Sequence, residues 1–134
     1  MRLLSLVVIF FLCSSIVLAY PPIKLYGNFT QEEKQEVMDG INLFPPKYFS
    51  NVKTVEIYNY KYLEKGKYLC GAKLAEEHLG GFYCRNGRLI IDEKGLKHDF
   101  VKVLIHELKH SKCYTKKHNW DLSHDSQCFT NGLV

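Results

Sequence analysis

The chain has 134 residues, is 46% hydrophobic and 24% charged, and carries a formal charge of +4 at pH 7. That length is enough for one domain. The lysines are scattered, with no stretch alternating basic and aromatic residues, so nucleic acid is not an expected partner and at most a mild preference for acidic partners follows.

Residues 1–19 read as a signal peptide. Arg2 is the only charge before Lys24, an apolar run follows it, and Val17 and Ala19 occupy the small-residue positions that a signal peptidase reads. Cleavage after Ala19 is expected. The alternative is an uncleaved signal anchor, because residues 3–20 approach the roughly 17–25 residues that span a bilayer core. In both cases residues 20–134 leave the cytosol, and with no repeat or low-complexity linker they read as a single domain, expected to be monomeric. Secretion is the expectation and anchoring to a membrane the alternative.

Export changes the meaning of the cysteines. Cys13 belongs to the signal, which leaves Cys70, Cys84, Cys113 and Cys128. An even number in a small exported domain points to two disulfides. Three pairings are open, and proximity alone favours Cys70–Cys84 with Cys113–Cys128. The spacings do not suit a four-cysteine zinc site.

The first element after the signal is a helix. In "TQEEKQEVMDGINLF", Thr30 and Glu33 form a capping box, Val37, Ile41 and Phe44 recur at helical spacing, and Pro45-Pro46 ends the run. Asn28 begins an "NFT" glycosylation sequon, although Thr30 as a helix cap accounts for the same residues. "VKTVEIYNYKYL" alternates, with Val52, Thr54, Glu56 and Tyr58 on one face and Val55, Ile57 and Asn59 on the other, and reads as a strand. "KYLCGAKL" and "GGFYC" are shorter strand candidates. The turn signal Asn86-Gly87 joins "FYC" to "RLIID" as a hairpin. A second long helix, "KHDFVKVLIHELKHSKC", follows, and then a polar loop and a short tail. The order predicts an α+β domain: a helix packed with a three- to four-stranded, mostly antiparallel sheet, and a C-terminal helix carrying the one chemically loaded motif.

That motif is "HELKH". On a wheel of about 100° per residue, His106, His110 and Glu107 share a front face within roughly 100°, while Val101, Leu104, Ile105 and Leu108 form an apolar back. Histidines four apart lie one turn apart and can direct ring nitrogens at one Zn2+ ion. Glu107, turned aside from the first histidine, can reach a water at the metal without binding the metal, and so can act as general base and then general acid. A catalytic zinc needs a third protein ligand and an open position. The longer metzincin spacing places that ligand at position 116, which is Lys116. His118, Asp121, His124 and Asp125 remain, of which His124 is favoured over His118, with Asp125 as a neighbour that could orient an imidazole. His78 and His98 read as surface residues. Tyr114 and His118 lie where an oxyanion-stabilising group could sit, though a structural or surface role suits each of them better.

With these residues in view, the chain resembles a minimal zincin metallopeptidase over most of residues 20–134. "TQEEKQEVMDGINLFPPKYFSNVKTVEIYN" resembles the entry helix, proline stop and first strand, "GGFYCRNGRLIID" the strand pair beside the cleft, and "VLIHELKH" the metal-binding helix. "HDSQCF" is similar to the third-ligand segment, "H-[DG]-x-x-[FW]", of SprT-like and Wss-type families. The resemblance implies His106, His110 and His124 as zinc ligands, Glu107 as the catalytic residue, and pairing of an extended peptide substrate with the strand around Gly80 to Cys84. The chain departs from the pattern at Lys109 and Lys112, where uncharged residues are the rule, and at Cys128, which stands where the aromatic residue belongs and pushes Phe129 one place later. The implied activity is zinc-dependent hydrolysis of peptide bonds. The alternative is a disulfide-stabilised secreted binding protein that keeps the fold without catalysis, as an inhibitor, toxin or ligand.

Overall fold

The computed structural model describes residues 19–74 and 80–113. Within them the order is β1 (Ile23–Tyr26), α1 (Gln31–Asn42), a single 3₁₀ turn (Pro46–Phe49), β2 (Thr54–Tyr58), β3 (Tyr68–Leu69), β4 (Ala72–Lys73), β5 (Gly81–Tyr83), β6 (Arg88–Ile91) and α2 (Glu93–Cys113). The architecture is α+β. No helix among the described residues is long and apolar enough to cross a membrane, and residues 1–18, nearly all of the expected signal at 1–19, lie outside them.

The first helix forms for the reason its sequence suggests. Thr30 Oγ1 accepts from the Glu33 N–H at 3.0 Å, and Glu33 Oε1 accepts from the Thr30 N–H at 3.2 Å. Val37 and Ile41 point into the core. The chain then leaves the helix through Leu43 and Phe44 into the Pro45-Pro46 turn, where proline cannot continue the helical bonding.

The main sheet has the order β1-β2-β6-β5. β1 pairs with β2 and β2 with β6 in parallel, and only β5 with β6 is antiparallel. This corrects the expectation of a mostly antiparallel sheet. Direction depends on what the chain does between strands: α1 returns it to the same end between β1 and β2, and residues 59–87 do so between β2 and β6. Only the tight Arg85–Gly87 connection reverses it, closed by Gly87 N–H to Cys84 O at 2.9 Å. β3 and β4 make a separate two-stranded hairpin. The sequence reading assigns no strand to β1, whose four residues bury only Ile23 and Leu25 partly.

Both faces of the sheet are covered. One carries Val55, Ile57, Tyr83, Leu89 and Ile91 against α1 and α2. The other carries Tyr58, Cys84 and Ile90 against Leu63, Leu69 and Leu74. Each fully buried aliphatic side chain contributes about 1.5–3 kcal/mol. On the second face the rings of Tyr26, Tyr58 and Tyr62 stack at 4.6 and 3.8 Å, and Lys67 Nζ lies 3.8 Å above Tyr62. The Cys70–Cys84 disulfide ties the β3–β4 hairpin to the end of β5. Closing a loop of that length restricts the unfolded chain by roughly 3 kcal/mol.

Two buried carboxylates hold the frame. Asp92 is 1% exposed and accepts from the backbone N–H groups of Leu63, Lys94 and Tyr62 at 3.0, 3.1 and 3.3 Å, joining the residue-60 loop to the start of α2. Glu56 takes a two-pronged contact from Arg88, at 2.7 and 2.9 Å, and further bonds from Tyr58 and Thr54 at 3.0 and 3.2 Å. The Arg88 guanidinium, more than any other neighbour, holds the Glu56 carboxyl below its ordinary value.

Asp92→Ala leaves buried N–H donors unmatched and is expected to cost roughly 1–3 kcal/mol for each such group, read as a lower urea midpoint. Because the Glu56 pKa is depressed on folding, its contribution is complete above the unfolded carboxyl value of 4.5 and disappears as pH falls through the lower folded value. Glu56→Gln is therefore expected to lower the melting temperature at pH 7 and to converge with the parent chain as pH falls below the depressed folded value. Parallel melting curves at all pH values would contradict that role.

Candidate metal centre

The helix that carries the motif is two helices joined at a corner. Asp99 has φ −157° and ψ 80° inside Glu93–Cys113. Its Oδ1 accepts from the Lys102 N–H at 3.1 Å, so it caps a second helix that starts at Phe100. His106 and His110 lie on this second piece, one turn apart. His98 lies on the first piece and is exposed, as expected.

The two imidazoles converge. His106 Nε2 and His110 Nε2 are 3.2 Å apart, with ring centroids at 4.8 Å and planes at 77°. A tetrahedral zinc ion holding nitrogens at about 2.0–2.1 Å keeps any two of them about 3.3–3.4 Å apart. The pair therefore has the spacing of two ligands to one ion, and neutral imidazole is the right donor for it.

Glu107 is placed otherwise than the wheel suggests. Val103, Leu104, Glu107, Leu108 and Ser111 of this helix are buried on an arc from about 60° to 200°, and Glu107 lies within it, while Cys113 is buried separately at the last turn. The apolar back is displaced accordingly, since Val101 and Ile105 are only partly buried. The cause is β5. Glu107 is 3% exposed and lies across Gly81, where an added Cβ would stand 2.8 Å from both Glu107 Cγ and Oε1 and 2.7 Å from Val103 Cγ1. Burial pushes its carboxyl up to about 8, opposed by a hydrogen bond from the Tyr83 backbone N–H. A carboxyl tuned toward neutrality can exchange protons near pH 7.

Further contacts fix where the helix runs. At its entry, Gly95 meets Gly80 so closely that a Cβ on Gly95 would stand 2.6 Å from the Gly80 carbonyl oxygen. At its exit, Asn51 Nδ2 donates to the Ser111 carbonyl at 3.0 Å, and the Tyr83 hydroxyl donates to the Asn51 carbonyl at 2.8 Å. Sequence reasoning placed Gly81 and Tyr83 on a strand beside the cleft but not against Glu107, and it missed Asn51. Its only available signal was the Gly80-Gly81 pair ahead of an aromatic strand.

Among the described residues no group of three or more His, Cys, Asp or Glu side chains is arranged to hold a metal. The proposed third ligand His124, its alternative His118, and Asp121, Asp125, Tyr114 and His78 lie outside them. Cys70 and Cys84 are paired as expected. Cys113 is also disulfide-bonded, and Cys128, its expected partner, lies outside the described residues. No family model, curated protein or solved structure matches this chain, so the site's own geometry has to carry the functional argument.

Gly81→Ala is expected to push the helix off the strand and lower the unfolding free energy by about 1–3 kcal/mol in urea melts. An unchanged melt would mean that α2 does not rest on the strand at this point.

Proposed function

We propose that this chain is an exported, zinc-dependent metallopeptidase of the minimal zincin type, cleaving peptide bonds in extended protein segments. The observation that carries the reading is the 3.2 Å separation of His106 Nε2 and His110 Nε2 on one helix that also bears the buried Glu107. His106 and His110 are two of the ligands, and His124 is the third. The coordination position left open is what separates a catalytic from a structural zinc site. Held by these residues, zinc would supply a Lewis acid for the scissile carbonyl and would lower the pKa of a water.

The rest is done by the chain. Glu107, one residue from the first ligand, takes a proton from the attacking water onto its carboxylate and delivers it to the leaving amine. The Tyr83 N–H donates to that carboxylate. β5 is the last strand in the sheet order, and an extended substrate aligns there by main-chain bonding. The signal sequence and the Cys70–Cys84 bridge accord with work outside the cytosol, as a secreted monomer.

Metal analysis with peptide-library cleavage tests this. His106→Ala and His110→Ala are each expected to abolish stoichiometric zinc. Glu107→Gln is expected to retain zinc and lose cleavage by about 10²-fold or more. His124→Ala is expected to weaken zinc binding far more than His118→Ala. Zinc bound with no cleavage by the parent chain would replace this reading with the non-catalytic binding protein.

A further inference from the structure

We propose that the pocket beside the β5–β6 turn, lined by Lys53 and Arg85, is a binding site for a small oxyanion, a carboxylate or phosphate group. The inference stands apart from the peptidase reading, because it needs neither zinc nor cleavage.

The pocket encloses about 250 Å³. That lies below the roughly 300–1,000 Å³ of sites that enclose a drug-sized ligand, and it suits one small charged group. Lys53, Arg85, Ser50 and Asn86 line it, and Asn51, Tyr83 and Gly87 complete the wall. No carboxylate is among these residues. Neither Lys53 nor Arg85 forms an ion pair with a described residue. Two cations that line one cavity repel each other, and a bound anion attracts both. Two further cavities lack this excess of positive charge. One, among Glu33, Glu36 and Lys97, mixes signs, and its lysine is paired with Glu93 at 2.7 Å. The other, beside the Cys70–Cys84 bridge, shares Arg85 but is otherwise walled by the disulfide, a phenyl ring, a methyl group and glycine.

The turn holds the cations in place. Gly87, at φ +92°, donates to Cys84 O at 2.9 Å, and its carbonyl accepts from the Lys53 N–H at 2.7 Å. The stem of Lys53 lies directly on it, for a Cβ at Gly87 would stand 2.7 Å from Lys53 Cγ. A lysine stem laid along backbone keeps its ammonium near the turn while the charge stays in water. Arg85 follows Cys84, which is 1% exposed and bonded to Cys70, so the bridge anchors its backbone on one side and the turn on the other. Its guanidinium is a planar fork that matches two oxygens of a carboxylate or phosphate, and Lys53 adds a point charge. Neutral donors complete the set. Asn86 Oδ1 accepts from the Arg88 N–H at 3.2 Å, which leaves its Nδ2 to donate, and the Ser50 hydroxyl is a second donor. These four side chains are exposed, so a ligand reaches them from solvent. The wall itself is fixed, because the buried Tyr83 donates its hydroxyl proton to Asn51 O at 2.8 Å.

The test titrates the oxidised full chain with inorganic phosphate and, separately, with an N-acetylated glycine tripeptide carrying either a free C-terminal carboxylate or a C-terminal amide. Binding is followed by NMR of the backbone amides. The shifts are expected to saturate and to cluster at Ser50, Arg85, Asn86 and Gly87. Lys53→Met keeps the stem and removes the charge, and Arg85→Gln removes the fork. Each is expected to weaken binding by roughly tenfold. Lys73→Glu, at an exposed position on β4, removes more net charge than either and is expected to weaken binding by less than about twofold. Thermal melts show that each variant is folded, and the shifts on the parent chain carry the test if one is not. Phosphate bound more tightly than the tripeptide supports the pocket with a free oxyanion as its ligand. The free-acid tripeptide bound more tightly than phosphate, with its amide unbound, supports the pocket with a polypeptide carboxylate as its ligand. Shifts spread over the lysine-bearing surface, or an equal loss on Lys73→Glu, overturn the pocket in favour of diffuse charge attraction. No saturable binding of either probe up to roughly 20 mM also overturns it.

Discussion

The contact on which the site depends is that of a buried carboxyl with a strand that has no side chain to offer it. Glu107 lies over Gly81, and the first turn of α2 meets the Gly80 backbone at Gly95. Any larger residue at these points would hold helix and strand apart. With the gap closed, the Tyr83 N–H reaches the Glu107 carboxylate. Asn51 then secures the last turn at the Ser111 carbonyl. A helix anchored at its start, middle and end has little freedom to roll, and the two imidazoles inherit their mutual distance from that. Packing here supplies the preorganisation that the proposed metal site would require.

Three buried carboxylates show how surroundings decide a role. Glu56 has a guanidinium, a phenol and a hydroxyl, and its charge is matched in place. Asp92 has backbone N–H groups and serves as a joint between two segments. Glu107 has one backbone donor against near-complete desolvation, so its charged form is the least comfortable of the three. Such under-compensation leaves it the one whose proton is held at neutral pH.

Local elements were legible in the sequence because their signals are local. The Thr30/Glu33 box, the proline stop, the Asn86-Gly87 turn and the alternation of residues 54–58 each act within a few positions, and each appears where those residues stand. The cysteine count and spacing led to Cys70–Cys84. Strand direction was not legible, because it depends on the path of nearly thirty intervening residues between β2 and β6. The Asp99 corner was hidden because its cap lies inside an unbroken helical pattern. A helical wheel sets the angle between His106 and Glu107 but not which strand will press on either. The convergence of His106 and His110 was legible from their spacing, whereas the burial of Glu107 needed Gly81 and Tyr83, about 25 positions away in the chain and adjacent in space.

The parallel pairing of β2 with β6 also governs how this molecule is assembled. Thr54 meets Arg88 and Ile57 meets Ile91, so the centre of the sheet cannot zip until a long stretch of chain has looped back. Contacts so distant in sequence make for slow folding, because loop-closure entropy is lost before any pairing compensates it. The β5–β6 hairpin and the capped α1 can form early, leaving apolar strand edges waiting for partners. Oxidation of Cys70 and Cys84 shortens that search by drawing the hairpin to the strand. An oxidising compartment would thus accelerate maturation of the chain as well as stabilise the finished fold.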